Sequence, residues 1–324
     1  MQLPAMAAWA WIPIVIWAAF AQTIRNAAQR TLTADVGTLP ATLVRFLYGL
    51  PFAVAWLLLV THALGDAVAA HPWPPFSAKY FAWASVGAIS QLAATALLLL
   101  AMKERNFIVA VAYSKTEVLQ VALFATLFLH ELPGWLTALA IFTATAGVML
   151  LSMPTAATQA PQATKATAPG SAGLAAPWVN KAVWYGVGSG ACFALANVGF
   201  RGASLTLPGV SAWLIGAWTV VWAQALQSLL LGSYLAAREP RSLVAIARAW
   251  RVSTVAGTMG ALASIGWITA TAMHSVAEVR TLGLVEVLFA YLVSHRLFKE
   301  KLTRKERVGL ALVTAGLVVV CAQL

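Results

Sequence analysis

Residues 117–150 read EVLQVALFATLFLHELPGWLTALAIFTATAGVML, and residues 286–320 read EVLFAYLVSHRLFKEKLTRKERVGLALVTAGLVVV. Both stretches begin with a glutamate inside an apolar run. Three residues of the first stretch recur 169 positions later in the second: Glu117 as Glu286, Glu131 as Glu300 and Gly147 as Gly316. A second pair recurs 171 positions later, Asn26 as Asn197 and Arg30 as Arg201. The chain therefore reads as one structural unit that is present twice.

The composition indicates that most of the chain faces lipid rather than water. Hydrophobic residues make up 61% of the sequence and charged residues 10%. Continuous apolar runs of about 18 or more residues predict membrane-spanning helices, whereas barrel strands would alternate apolar and polar residues. Ten such runs lie at 7–30, 38–61, 79–101, 107–129, 133–152, 180–202, 210–236, 252–273, 276–296 and 304–322. We therefore predict an all-α integral membrane protein with ten transmembrane helices.

A linker divides these helices into two sets of five. Residues 153–177 are rich in Ala, Thr, Pro and Gly and show no hydrophobic period, which predicts a flexible linker between repeats at 1–152 and 178–324. The first apolar run counts as a helix rather than a signal peptide, because no positive residue precedes it. An odd number of spans inserts the second repeat with opposite polarity, so the prediction is two inverted five-helix repeats.

This pattern resembles a known family. Ten spans in a five-plus-five duplication, a glutamate within a span, a second glutamate that closes it and a glycine in the next helix are similar to the drug/metabolite transporter superfamily, in particular its EamA-like ten-helix exporters. The two stretches quoted above carry the resemblance most clearly. It implies a central cavity between the repeats, open alternately to either side, through which small organic metabolites are exported. It also implies a bacterial inner membrane and names no substrate.

The basic residues predict an orientation that conflicts with the resemblance. They concentrate in the odd-numbered loops, and the positive-inside rule then places those loops in the cytoplasm and both termini outside. The resemblance implies both termini inside. The net charge of +11 is explained by basic span edges that attract lipid headgroups, and a soluble basic domain for nucleic acid is absent. Membrane lipids and a small metabolite are therefore the expected partners, with no nucleic acid and with the chain acting as a monomer.

The ionisable residues within the spans are the first candidates for function. Such a group at the bilayer centre costs about 2.5–3.5 kcal/mol on insertion scales, so it faces a cavity or a partner. Glu117 and Glu286 occupy matching positions, and the repeat axis would bring them close together. In one dry cavity, repulsion and desolvation would favour protonation of one of them, which makes both proton-coupling candidates. The alternative is a protonated glutamate that hydrogen-bonds two helices.

Lys115 lies two residues before Glu117 and points about 200° away from it around the helix. Its partner is therefore expected on another helix, unless the ammonium itself faces the substrate. In the alternative interpretation, both charges serve only to hold helices together through buried ion pairs.

Polar and aromatic residues deep in the spans are the candidates for substrate binding. Gln22, Arg25 and Asn26 share one face of the first helix, and Asn197 corresponds to Asn26. Amides both donate and accept, which suits a zwitterion or a hydroxylated metabolite, and two arginines offer bidentate contacts to a carboxylate or phosphate. Aromatic rings would border an apolar part of the ligand, although each ring taken singly fits packing or lipid contact better. The full candidate set is Gln22, Arg25, Asn26, Arg45, Tyr48, Tyr113, Lys115, Asn197 and Trp267.

Enzymatic motifs are absent from the sequence. There is no HExxH, no GxSxG and no GxxxxGK, and the five histidines lie near loops. Cys192 and Cys321 both fall within predicted spans, so we expect no catalytic residue, metal site or cofactor. The expected function is a gradient-driven secondary transporter that exports small amphipathic metabolites, such as amino acids, by alternating access. The alternative is a membrane enzyme or accessory protein acting on lipid-linked substrates.

Overall fold

The computed structural model describes residues 9–63, 77–104, 107–152, 181–296 and 304–321. The predicted linker at 153–177 lies outside the described residues, and so does Glu300. Within the described ranges the chain forms fourteen α-helices and no β-strand. An all-helical architecture was the prediction, and it is confirmed.

The first part of the chain contains seven helices. They are α1 (Trp11–Val36), α2 (Thr38–Leu47), α3 (Leu50–Ala63), α4 (Ala78–Glu104), α5 (Phe107–Ser114), α6 (Glu117–Leu129) and α7 (Trp135–Ser152). The second part contains α8 (Lys181–Leu205), α9 (Ala212–Arg238), α10 (Pro240–Arg248), α11 (Trp250–Met273), α12 (Val276–Leu282), α13 (Val285–Arg296) and α14 (Arg304–Cys321). The short amphipathic helix α10 occupies a connection where no span was predicted.

Five helical stretches are long and apolar enough to cross a membrane: α2 and α3 taken together, α4, α8, α9 and α11. Helices α7 and α14 contain shorter apolar stretches, Trp135–Gly147 and Arg307–Gly316. Helix α1 has 26 residues, although its second half carries polar side chains that are buried in the protein. The length and composition of these helices are those of an integral membrane protein.

Besides residues 38–61, which divide into α2 and α3, two spans that the sequence predicted as continuous are broken in the structure. Residues 107–129 divide into α5 and α6 around Lys115, and residues 276–296 divide into α12 and α13 around Gly283. At the first break Lys115 N donates to Ala112 O at 3.0 Å, and at the second Leu284 N donates to Thr281 O at 3.1 Å. These i to i+3 hydrogen bonds tighten the chain into turns between the helical halves. Glu117 and Glu286 both lie in the first turn of the helix that follows.

The two parts of the chain pack against each other along their whole length. Helix α1 contacts α11, α4 contacts α8, α7 contacts α14, and α9 contacts α2 and α3. The broken helices also meet, α5 against α13 and α6 against α12. A Cβ on Gly147 would lie 2.6 Å from Gly309 O, and one on Gly316 would lie 2.8 Å from Ala144 Cβ. Small residues at these matching positions therefore let the backbones of α7 and α14 approach closely, as in other helix pairs in lipid.

Candidate functional site

Six charged side chains are buried among the described residues, and they belong to helices of both parts of the chain. They are Arg25, Arg45, Lys115, Glu117, Arg280 and Glu286, each at most 4% exposed. A buried charge is stable only with partners that replace its lost hydration. The partners of the two glutamates are therefore described first.

Glu286 receives three donors, all from the first part of the chain. Lys115 Nζ and Gln22 Nε2 each lie 2.5 Å from its Oε2, and Asn26 Nδ2 lies 3.1 Å from its Oε1. The break between α5 and α6 places Lys115 so that it reaches across to α13. The partner of Lys115 is thus on another helix, as its angular position predicted.

Glu117 is held in the corresponding way by donors from the second part. Arg280 NH2 lies 2.6 Å from its Oε1 and 2.8 Å from its Oε2, and Asn197 Nδ2 donates to Oε1 at 2.9 Å. Asn197 Nδ2 also donates to Phe193 O within α8 at 2.7 Å. Each glutamate is therefore bound by an amide and a cation of the opposite part of the chain. Every side-chain group that contacts the two carboxyl groups is a hydrogen-bond donor.

Trp267 connects the two glutamate clusters. Its Nε1 donates to Gln22 Oε1 at 2.8 Å, and its ring lies 4.1 Å from Arg280 Cζ, which is a cation–π contact. The break between α12 and α13 makes room for this indole, since a Cβ on Gly283 would lie 2.6 Å from Trp267 Cη2. The central polar cluster, defined here as Gln22, Asn26, Lys115, Glu117, Asn197, Trp267, Arg280 and Glu286, is thus one connected network.

Arg25 and Arg45 border this cluster but bind neutral oxygens. Arg25 donates to Asn26 Oδ1 through Nε at 3.2 Å and NH2 at 2.6 Å. Arg45 donates through NH1 to Thr95 Oγ1 at 2.5 Å and through NH2 to Ser264 Oγ at 3.5 Å. Both guanidinium groups therefore lie buried without a carboxylate within hydrogen-bond distance among the described residues.

Tyr48 and Tyr113 were predicted to line the substrate site, but they lie in packing contacts. Tyr48 follows α2 and packs among apolar residues of the first core cluster. Tyr113, at the end of α5, packs with Ala182, Val183 and Tyr291. The other predicted residues, from Gln22 to Trp267, converge in or beside the central polar cluster.

Several polar residues near the site were missed by the sequence analysis. Gln224 of α9 is 1% exposed, and both polar atoms of its side chain lack a hydrogen-bond partner within the described part of the chain. Gln227, one turn later, donates to Ala88 O at 2.7 Å and to Gln91 Oε1 at 3.0 Å. Their three-residue spacing within an apolar span could have identified them, because it places both amides on one face of the helix.

A more exposed ion pair lies outside the cluster. Arg201 Nε donates to Glu131 Oε1 at 2.8 Å, with the two side chains 15% and 21% exposed. Arg201 NH1 also donates to Thr271 O near the end of α11 at 2.8 Å. This pair ties together the ends of α6, α8 and α11.

Two pockets lie away from the central polar cluster. One of about 530 Å³ is lined by Asp35, Val36, Arg241, Val244, Ala245, Arg248 and Ala249, between the end of α1 and α10. The other, of about 270 Å³, lies between α4 and α9 and is largely apolar, with Phe81, Trp222 and Leu229 in its wall. Neither wall includes a residue of the central polar cluster.

Comparison with known proteins identifies the fold but no family. No family model matches the sequence, and no curated protein matches it. A solved structure described only as "Crystal structure of protein" is similar, with a TM-score of 0.62 and 16% sequence identity over 98% of this chain and 97% of that one. At this identity the similarity extends to the fold alone.

Proposed function

We propose that the protein is a secondary transporter that exports small organic metabolites by alternating access. It would consist of two inverted five-helix repeats around the central polar cluster. It would act as a monomer in a bacterial inner membrane, as the resemblance to EamA-like exporters of the drug/metabolite transporter superfamily implies.

The helix pairs that meet support the proposed repeat. With α2 and α3, α5 and α6, and α12 and α13 each counted as one span, and α10 left as a connection, each part supplies five spans. If the two parts are exchanged, α1 takes the position of α8 and α11 takes that of α4. The contact of α1 with α11 then becomes the contact of α8 with α4. The contact between α7 and α14 maps onto itself. Such a pattern is expected for two repeats related by a pseudo-twofold axis.

The reciprocal binding of the two glutamates is the observation that carries the proposal. Glu117 of the first part is bound by Asn197 and Arg280 of the second, and Glu286 of the second part is bound by Asn26 and Lys115 of the first. Contacts across the boundary between the parts are the ones that would break and reform as one part rocks against the other. A purely structural core would not need six buried charges, since apolar residues pack as stably.

The broken helices provide the chemistry that a transport site at mid-depth requires. Irregular backbone within a membrane is stable only where protein or a water-filled cavity surrounds it. Discontinuous helices of this kind form the substrate and ion sites of many secondary transporters. In this chain each break is followed directly by a buried glutamate, in the first turn of α6 and of α13.

Proton coupling is the proposed energy source, with Glu286 as its main site. An anion that enters the cluster would compete with Glu286 for Lys115, and a proton would compete with Lys115 for the carboxylate of Glu286. Protonation of Glu286 would release Lys115 and loosen the contact between α5 and α13. A proton gradient would in this way shift the balance between the two access states.

Purified protein in proteoliposomes tests this function. A panel of labelled metabolites, tested with and without an imposed pH gradient, should include compounds whose uptake is saturable and absent from protein-free vesicles. The gradient should change the rate of that uptake. If no compound moves while lipid-linked substrates are chemically altered by the protein, the proposal fails in favour of a membrane enzyme.

A further inference from the structure

The charge balance of the buried site carries an inference about the substrate. Four of the six buried charged side chains are cationic and two are anionic, which leaves an excess of two positive charges. Glu117 and Glu286 are each bound by a cation of their own, Arg280 and Lys115 respectively. The excess therefore resides on Arg25 and Arg45.

These two arginines lie side by side. A Cβ on Gly260 of α11 would lie 3.0 Å from Arg45 Cγ and 3.3 Å from Arg25 Cδ, so both side chains pass the same point of that helix. Arg25 is 0% exposed and Arg45 is 1% exposed. Two neighbouring guanidinium groups that are both dehydrated repel each other, and an anion between or beside them removes that repulsion.

Both arginines retain unused donors. Among the described residues, Arg25 NH1 and Arg45 Nε have no hydrogen-bond partner, although both atoms are buried. Gln224 lies near the backbone of Arg45, since a Cβ on Gly49 would be 2.6 Å from Arg45 O and 3.1 Å from Gln224 Oε1. Its Nε2 is also a buried donor without a partner. Donors of this kind, fixed by packing, are what a carboxylate or phosphate group requires.

We propose that Arg25 and Arg45 form the binding site for an acidic group, and that the transported metabolite is a small organic anion. This inference rests on the proposed transport function and narrows its substrate class. The amides of Gln22 and Asn26 next to the site would contact polar groups on the rest of the molecule. A cationic metabolite is excluded by the same two uncompensated charges.

Counterflow of probes that differ in charge, three of which share a phenylethyl group, tests the inference. Proteoliposomes containing the full chain are preloaded with unlabelled probe, and uptake of labelled probe is measured for 3-phenyllactate (anionic), phenylalanine (zwitterionic) and phenethylamine (cationic), and for malate and glycerol 3-phosphate as smaller anions. We expect at least one anion to exchange and phenethylamine not to exchange.

Substitutions connect the anion to the proposed site. Arg25→Gln and Arg45→Gln should each lower the apparent affinity for the anion by about tenfold or more, because each removes a charge-assisted hydrogen bond. Arg45→Lys, which keeps the charge, should retain part of the affinity. Arg238→Gln, at an exposed position at the end of α9, is the matched control and should leave uptake unchanged. The melting temperature of each variant without probe shows whether it folds.

The outcomes separate the two proposals. Exchange of phenethylamine or phenylalanine without exchange of any anion would overturn the anion site and leave the transporter intact. Exchange of an anion that is unaffected in folded Arg25→Gln and Arg45→Gln variants would also overturn the site. Exchange of none of the probes, nor of any metabolite in the wider panel, would overturn the transport function itself.

Discussion

Asn26 and Asn197 make the same contact in the two parts of the chain. Asn26 Nδ2 donates to Glu286 Oε1 at 3.1 Å, and Asn197 Nδ2 donates to Glu117 Oε1 at 2.9 Å. The two asparagines are 171 positions apart and the two glutamates are 169 positions apart. The asparagine of each part thus binds the glutamate of the other part, and the following predictions depend on these reciprocal contacts.

Loss of the Arg280 charge should destabilise the protein strongly. Arg280→Met leaves the carboxylate of Glu117 buried without its cation, which costs about 3–5 kcal/mol of unfolding free energy. Thermal denaturation in detergent measures this loss. The double variant Glu117→Gln with Arg280→Met should recover part of it, because the uncompensated charge is removed.

The Arg201–Glu131 pair supplies the matched control for that prediction. Its side chains are 15% and 21% exposed, so water replaces part of the lost interaction in Arg201→Gln. The melting temperature should therefore fall less than in Arg280→Met. An equal fall in both variants would contradict the role assigned to burial in the central polar cluster.

Glu286→Gln should abolish the response of transport to a pH gradient. The amide cannot take up or release a proton, so Lys115 would no longer be released by protonation at this position. Uptake into proteoliposomes with an acidic interior and with a symmetric pH should then proceed at equal rates, whereas the wild type should be faster with the acidic interior.

The exposed Glu239 provides a control for charge removal elsewhere. Glu239→Gln should retain the full response to the gradient, since this residue lies outside the cluster at the start of α10. A Glu286→Gln variant that transports and keeps the wild-type pH response would remove Glu286 as the coupling site.

Gly147→Ala should weaken the contact between α7 and α14. The added methyl group would lie 2.6 Å from Gly309 O and 2.7 Å from Val313 N, and overpacking of this kind costs about 1–3 kcal/mol. Gly188→Ala in α8 is the control, because its Cβ would meet only Leu97 Cδ1, at 3.6 Å. Melting temperatures that fall equally, or fall more for Gly188→Ala, would be inconsistent with the close approach of the helices.

The orientation of the chain has two incompatible predictions, one from its charges and one from its resemblance. The excess of basic residues in odd-numbered loops places the C-terminus outside the cytoplasm. A reporter that is active only outside the cytoplasm should therefore be active when it is fused after Leu324. Activity of a cytoplasm-dependent reporter at that position would instead support the orientation of EamA-like exporters.

Much of the helical architecture could be predicted from the sequence, because continuous apolar runs determine where helices cross lipid. The repeat singled out Glu117, Glu286, Asn26 and Asn197 without knowledge of their contacts. The breaks around Lys115 and Gly283 were not predicted. Residues 107–129 contain neither Gly nor Pro, and Gly283 alone is also compatible with a continuous helix.

Long-range pairing explains what else the sequence analysis could not identify. Arg280 and Glu117 are 163 positions apart, and no local spacing relates them. Gln224 lies in an apolar span, and neither residue 53 nor residue 55, the positions that correspond to it in the first part, is polar. Its burial near the backbone of Arg45 depends on how α9 packs against α2 and α3, which only the tertiary structure reveals.

The accessibility of position 197 from the two sides of the membrane tests alternating access most directly. In a Cys192→Ala, Cys321→Ala background, Asn197→Cys is treated with a membrane-impermeant thiol reagent in spheroplasts and in inverted vesicles, with Arg241→Cys as a one-sided control. The account predicts that the thiol at position 197 reacts in both preparations, while the thiol at position 241 reacts in one. Reaction at position 197 from one side only, or from neither, would contradict a central site that opens to each side in turn.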